Sequence, residues 1–424
     1  MEKIKTAFKE HTKEKITALA FLVVIFAMLL GMVTTTHDLG EGFLLTYRTN
    51  VPTGAPVIQR LEGAIDAAEN AVNEGAFLRQ NYVETYGLAQ VLMNKHVVTD
   101  YNYGALYKTA LSGQTTFSVQ EELYVPDLAQ SVYGLVNTLL QKKIDFLYIQ
   151  LPFKVAPAKY GGNKELPIYV HDYSNENADT FVKSMTDANV AAYDLRDDFW
   201  SSGYSQKELF FNTDHHWSIK GAFLATGLIA KYLNENYDFG IPKDLYTEDN
   251  FEKTVYKDWF IGTMGRRVGR VYGGLDDFTL YTPKFDTDIE LTQVEGSYVQ
   301  KFTGDFEKAV LEMKYLENPD LTTNRYAVYH GDYQELRYVN KLAENDKKVL
   351  ILKDSFGIPV YSLLSLGVRE VRAIDLRLFT QDVAEYAASY DPDLVILMYN
   401  ADLHAGDLFD FNPGAGLNPD VPIN

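Results

Sequence analysis

The pattern of apolar and polar positions divides the chain into unlike stretches. Residues 16–33, "ITALAFLVVIFAMLLGMV", form an uncharged apolar run long enough to cross a bilayer as one helix. Lys3, Lys5, Lys9, Lys13 and Lys15 precede the run and no lysine directly follows it, which puts the N-terminus on the cytoplasmic side. The following "GMVTTTHD" is a poor cleavage site, so residues 1–37 read as a cytoplasmic stub and an uncleaved signal anchor. A cleaved signal peptide is the alternative, and both readings export the remainder. Residues 38–54 are rich in Gly, Thr and Pro and read as a juxtamembrane linker. From Ala55 to Lys95 the apolar positions Val57, Leu61, Ile65 and Ala68 recur at helical spacing. Residues 38–119 are therefore expected to be a linker and a helical stalk or cap.

A different rhythm begins near residue 120. "PDLAQSVYGLVNTLLQKK" places Leu128, Val132, Leu135, Val136 and Leu139 on one helical face, and "IDFLYIQLP" follows as a buried strand closed by Pro152. "NENADTFVKSMTDAN" predicts a helix, "VAAYDL" a short strand, and "IKGAFLATGLIAKYLNENY" a helix that Ser218 is placed to cap. After an interruption the alternation resumes: strand "KKVLILK", helix "IPVYSLLSLG", strand "VREVRAIDL", helix "TQDVAEYAASY" and strand "PDLVILMYN". Strand and helix in repeated alternation predict an α/β fold with a parallel sheet sandwiched by helices. The interruption, residues 240–325, carries alternating runs such as "FTLYT" and "DIELTQV" and reads as a β-rich insertion. Residues 406–424 read as a flexible tail. There is no internal repeat and no low-complexity segment.

Composition narrows the function. The formal charge of −19 argues against nucleic acid, whose phosphates need clustered Lys and Arg. No cysteine is present, which removes disulfides, thiolate metal sites and cysteine nucleophiles together. The 30 tyrosines offer flat apolar faces with polar tips, suited either to carbohydrate surfaces or to packing in strands.

The candidate chemistry centres on "FFNTDHHWSIKGAF", which holds two of the eight histidines. Asp214, His215 and His216 admit three readings: a metal site, two members of a hydrolase triad, or polar residues at a helix start. A metal needs further ligands, and neither His330 nor His404 has a spacing that predicts convergence. In an open parallel sheet, ligands sit beyond the C-terminal strand ends. Ser355 and Asn400 fall at such ends, and Asp214 and His216 at a helix entry in the same region. Serine needs a base within hydrogen-bond reach, and a base needs a group to fix its tautomer. His216 is the expected base, with Asp214 reaching back to its ring across the Asp-x-His spacing, and His215 is supporting or structural. Backbone N–H groups in the first turn of the helix after Ser355 are expected to stabilise an oxyanion. Arg377 in "AIDLR" lies at another strand end, to stabilise charge or to bridge to Asp375 or Asp354. Trp217 joins as a candidate substrate-binding residue. "GTMGRRVGRVYGG" supplies Arg266, Arg267 and Arg270, a basic cluster in an acidic exterior portion that suits an anionic polymer. It does not follow a strand and open a helix as a nucleotide loop must.

"LYIQLPFK", "DLRDDFW", "TDHHWSIKGA", "KDSFG" and "IDLR" together resemble the SGNH serine hydrolases, in particular the DHHW-type and alginate O-acetyltransferase-like exported proteins, in which the Asp-x-His motif precedes the serine. The resemblance covers residues 120–405. It implies a flavodoxin-like sheet, a Ser355–His216–Asp214 triad and transfer or removal of an acyl group, usually acetyl, on a cell-surface polysaccharide. It calls for no cofactor or metal, and it implies a membrane-bound O-acyltransferase as a possible partner. Two departures stand out. The usual Gly-Asp-Ser is Lys353-Asp354-Ser355, and the usual Gly-x-Asn-Asp is at best Met398-Tyr399-Asn400-Ala401, with Asn400 as a possible oxyanion donor. An esterase with the same three residues, or a non-catalytic glycan-binding or scaffold protein, are the rival expectations.

Overall fold

The computed structural model describes residues 2–51, 56–75, 77–100, 104–109, 113–116, 120–401 and 406–412. It divides into two compact units, Met1–Tyr86 and Gly87–Asn424.

The first unit is helical. Within its helix Glu2–Thr34, the segment Glu14–Thr34 is long and apolar enough to cross a membrane, and its apolar side chains are largely exposed. A helix over Thr36–Asn50 stands where the sequence reads as linker. It packs against the helix Val57–Gly75 through small residues: Ala67 and Ala71 are buried, and Gly42 lies against Ala71. Small side chains let the two backbones approach closely, and this contact offsets the weak helix propensity of Gly40 and Gly42.

The second unit is built on a mixed sheet. Its strands in chain order are β1 (Val97–Asp100), β2 (Gly104–Lys108), β3 (Thr115–Thr116), β4 (Asp145–Leu151), β5 (Ala192–Asp194), β6 (Phe251–Phe260) and β7 (Asp276–Pro283), then β8 (Ile289–Glu295), β9 (Tyr298–Gly304), β10 (Glu335–Asn340), β11 (Lys348–Lys353), β12 (Glu370–Ile374) and β13 (Leu394–Asn400). The main sheet has the order β5-β4-β13-β11-β12-β10-β8-β9. Its first five strands are parallel, and β10, β8 and β9 continue it antiparallel. The predicted parallel α/β sheet is present. The β-rich insertion, however, does not stand apart from it: β8 and β9 join the main sheet through β10, and β6 and β7 form a separate antiparallel pair.

Burial explains why the central strands read as unbroken apolar runs. In β11, Val349 and Ile351 face one core while Leu350 and Leu352 face the other. In β13, Leu394, Ile396 and Met398 oppose Val395, Leu397 and Tyr399 in the same way. A strand covered on both faces has no polar side to show. One layer contains the helices Ile219–Tyr237 and Gly357–Leu364, and the other Pro126–Gln141, Ser174–Asp187 and Val383–Tyr390. Ser218 caps its helix as expected, its hydroxyl accepting from the Gly221 amide at 3.2 Å. The segment read as the start of the tail is packed instead: Leu408, Phe409 and Phe411 are buried in the second core. Residues 413–424 and His404 lie outside the described residues.

Candidate active site

Two turns meet at the C-terminal ends of the parallel strands. The first follows β11. Lys353, its last residue, is buried, with Nζ donating to Asp375 at 2.9 Å and to Asp332. Asp354 is fully buried. Its Oδ1 accepts from the Phe356 amide at 2.8 Å, and its Oδ2 accepts from the Asn400 amide at 2.7 Å and Asn400 Nδ2 at 2.9 Å. Burial raises the pKa of Asp354, and the Asn400 donors oppose that rise. The carboxylate thereby ties the end of β11 to the end of β13 and presents Ser355 on the rim.

The second turn precedes the helix Ile219–Tyr237. An isolated bridge between Phe210 and Trp217, with the Ser218 amide donating to Leu209 O at 2.8 Å, closes a tight loop over residues 211–216. Asp214 Oδ1 accepts from the His216 amide at 3.1 Å and from His216 Nδ1 at 2.6 Å. A carboxylate can only accept, so Nδ1 carries the proton and Nε2 is left as an acceptor. Ser355 Oγ lies 2.7 Å from that Nε2. Burial opposes ionisation of Asp214, but His215, His216 and the Thr263 amide outweigh it and hold its pKa well below the usual carboxylate range. Acid, imidazole and hydroxyl thus form one continuous hydrogen-bonded chain across a sequence separation of 139 residues between His216 and Ser355.

The imidazole of His216 is held on both faces. Tyr326 stacks on it at a centroid distance of 4.4 Å and 21° between planes, and the His215 ring lies 3.9 Å away on a tilt of 36°. Burial and the neighbouring His216 push the pKa of His215 down to about 3, so this ring is neutral near pH 7 and does not repel an imidazolium forming beside it.

The glycine- and arginine-rich stretch wraps the acid. The Thr263 amide donates to Asp214 Oδ2 at 2.8 Å, the Gly262 amide to Thr213 Oγ1 at 2.7 Å, and the Gly265 amide to Thr213 O at 2.9 Å. A Cβ on Gly262 would stand 2.3 Å from Asp214 Cβ, so only glycine allows the approach. Asp276 grips the same loop from below, accepting from the Asn212 and Thr213 amides at 2.6 and 2.7 Å. Lys154, just beyond β4, is fully buried and donates to the carbonyls of Thr115, Asn212 and Asp214.

Several expected roles change. Trp217 is fully buried and unavailable to a substrate; its Nε1 donates to Tyr326 Oη at 2.7 Å and Phe356 O at 3.1 Å, which links the loop of His216 to the turn of Ser355. Asn400 Nδ2 donates to Asp354 Oδ2 at 2.9 Å, so Asn400 braces the turn of Ser355. Arg377 takes the alternative weighed for it, with Nε donating to Asp375 Oδ1 at 2.8 Å and Nη2 pairing with Asp375 Oδ2. The helix after Ser355 does not offer its first amides: Phe356 N, Gly357 N and Ile358 N donate to Asp354 and Ser355. Among the described residues, the Ser355 amide donates to no protein acceptor. Arg266 and Arg267 are half-buried and Arg270 is exposed, on the short helices Gly265–Val268 and Arg270–Gly273; Arg266 Nη2 reaches Thr263 Oγ1 at 3.4 Å. The sequence reading missed Lys154, Thr263, Asp276 and Tyr326. A charged residue right after an apolar strand and two glycines three apart were the available signals.

Asp214, His215 and His216 bring potential ligand atoms within 4.8 Å of one another. Two of these atoms, Asp214 Oδ1 and His216 Nδ1, are already paired with each other at 2.6 Å. His330 lies in a separate buried cluster, 3.2 Å from both Val310 O and Gln293 Oε1. Clefts of about 620 and 820 Å³ lie to the side, against β6–β7 and along the helix Ile219–Tyr237, and neither is lined by Ser355 or His216. The hydrogen-bonded chain, not cleft volume, marks the site.

Comparison with known proteins agrees with the resemblance drawn from the motifs. Residues 114–264 match the family model described as SGNH hydrolase-like domain, acetyltransferase AlgX. The match includes Asp214, His215 and His216 and ends before Ser355. No curated protein matches the chain. Among solved structures, Bacillus cereus PatB1 with a sulfonyl adduct superposes with a TM-score of 0.58 at 22% identity, covering 74% of this chain and 100% of that one. A DHHW family protein from Eubacterium siraeum superposes with a TM-score of 0.53 at 17% identity, covering 75% and 99%. The chain is thus SGNH hydrolase-like in sequence over 114–264, and it shares its fold with these proteins over three quarters of its length.

Proposed function

We propose that this SGNH hydrolase-like chain is a membrane-anchored serine O-acyltransferase that acetylates an exported polysaccharide. The observation that carries the reading is the relay from Asp214 through His216 to Ser355, at 2.6 and 2.7 Å. Ser355 Oγ attacks the acyl carbon of a donor ester while its proton passes to His216 Nε2. The bond between acyl carbon and leaving group breaks, and His216 returns the proton to the leaving oxygen. A sugar hydroxyl then attacks the acyl-serine and gives its proton to His216. The acyl group moves to the sugar and Ser355 recovers its hydrogen. Asp214 stabilises the imidazolium in both halves. The Ser355 amide is available to hold the oxyanion. The apolar segment Glu14–Thr34 would anchor the chain with its N-terminus inside and the Gly87–Asn424 unit outside. Contact among all three side chains favours catalysis over glycan binding alone.

The test uses the full chain in detergent with an activated acetyl ester, with and without oligosaccharide acceptors, beside Ser355→Ala and His216→Ala. Acetylated sugar from the unaltered chain alone supports transfer. Acetate released at the same rate whatever the acceptor makes the chain an esterase, and turnover that survives Ser355→Ala removes the reading altogether. A sulfonyl fluoride should label Ser355 and no other serine.

A further inference from the structure

The ammonium of Lys154 is a buried charge at the site that the relay does not use. It lies three residues beyond β4 and is 0% exposed. Its Nζ donates at 2.6 Å to Thr115 O, at 3.0 Å to Asn212 O and at 2.9 Å to Asp214 O. Three protons meet three carbonyl acceptors. A neutral amine has two protons and would turn its lone pair against one of those carbonyls, so the geometry selects the charged form. Burial pushes the pKa of Lys154 down to about 7, against the pull of Asp276 and Asp214. The three carbonyl bonds add to that pull, because bonding to the charged form favours it. Asp214 and Asp276 are the charged groups that act on the ammonium, and it in turn acts on His215.

The acceptors belong to two separate segments. Thr115 lies in β3, and Asn212 and Asp214 lie within the loop that ends in His216. We infer that Lys154 is a positioning residue that fixes the backbone of Asp214, and through it the tautomer and aim of His216. This rests on the proposed Asp214–His216–Ser355 relay. The loop's other supports do not replace it. Thr263 grips only the Asp214 carboxylate, and Asp276 grips the amides of Asn212 and Thr213 and the Thr213 hydroxyl, so neither bonds the Asn212 or Asp214 carbonyl. Without the ammonium the Asn212 and Asp214 carbonyls lose their side-chain donor, and the loop is free to shift beneath the imidazole.

The experiment compares Lys154→Met with the unaltered full chain in detergent, reading turnover together with the low-field proton resonance of the His216 Nδ1–H···Asp214 bond. A kcat lowered on the order of 10²-fold with KM little changed, and a resonance lost or moved upfield, is expected. Ser355→Ala serves as the reference, because it should abolish turnover yet keep the resonance. A folded Lys154→Met whose kcat stays within about threefold of the unaltered chain, or whose resonance is unchanged, overturns the inference. If that variant does not fold, the unaltered chain labelled with ¹⁵N-lysine supplies the reading. The low-field resonance must then fade as Lys154 loses its proton, and a resonance that outlives the ammonium overturns the inference equally. Failure of the relay itself would show separately, as activity retained by Ser355→Ala.

Discussion

The two turns that meet at the site are held by different means. The turn of Ser355 is secured by its own sheet: Asp354 bonds to Asn400 on the neighbouring strand, and Lys353 to Asp375 at the end of the strand on the other side. The loop of Asp214 and His216 belongs to no strand of that sheet. It is held by donors from far along the chain, among them Lys154 and Thr263, and by the indole of the adjoining Trp217, which donates to Phe356 O. The nucleophile's position therefore follows from the fold, whereas that of the base depends on a few individual contacts. Damage to the loop should lower rate before stability, and damage to the turn should lower stability first.

The largest expected effect is on the loop. Asp214→Asn should lower kcat on the order of 10⁴-fold while the thermal melt stays close to that of the unaltered chain, since an amide at that position favours the wrong tautomer of His216. A melt that collapses together with activity would break the contrast between the two regions. Next comes Gly262→Ala. Its Cβ must push Asp214 aside from 2.3 Å, and the expected fall in kcat is on the order of 10²-fold. Initial rates measured beside a circular-dichroism melt would tell displacement from unfolding. On the turn, Asn400→Ala removes one donor to a buried carboxylate and should destabilise the fold by about 1–3 kcal/mol. Urea unfolding measures that loss, and kcat should change less than in either loop variant.

The smallest effect sharpens the picture through pH. The pKa of His215 falls from its ordinary 6.5 to about 3 in the folded chain, so between those values only the unfolded chain takes up its proton. Stability contributed at this residue is present above pH 6.5 and declines on acidification through that window, by up to about 1.4 kcal/mol per pH unit. His330 is also pushed down by burial and acts in the same direction, while Asp276 and Asp354, pushed up, act in the opposite one at the acid end. The useful measurement is therefore the difference between the unaltered chain and His215→Asn in urea unfolding at pH 7 and pH 5. The variant should lose less stability on acidification, and equal losses would place His215 in a more solvated setting than the one described.

Much of this organisation was legible in the sequence because it is written in local periodicity. β11 is apolar from Val349 to Leu352 and β13 from Leu394 to Tyr399, and the helix Ile219–Tyr237 has the bounds that its pattern and its Ser218 cap predict. The Asp-x-His spacing sufficed to pair Asp214 with His216. What escaped was whatever depends on distant segments arriving together. β10 carries Glu335 and Arg337 and so lacks an apolar run, although it joins β12 to β8. Trp217 beside two histidines invites a surface role, and only the approach of Phe356 and Tyr326 gives its N–H a buried partner. The basic stretch at 262–274 drew attention for its arginines, yet its contribution to Asp214 comes from glycines and a main-chain amide.

The buried indole also has a spectroscopic consequence. Of the three tryptophans, only Trp217 is fully enclosed, and it touches the residue after the proposed nucleophile while adjoining the proposed base. Its emission should be the bluest of the three, and it should redden when the two halves part. A chain excited at its indoles would then signal in real time whether nucleophile and base are still in register, with no substrate added.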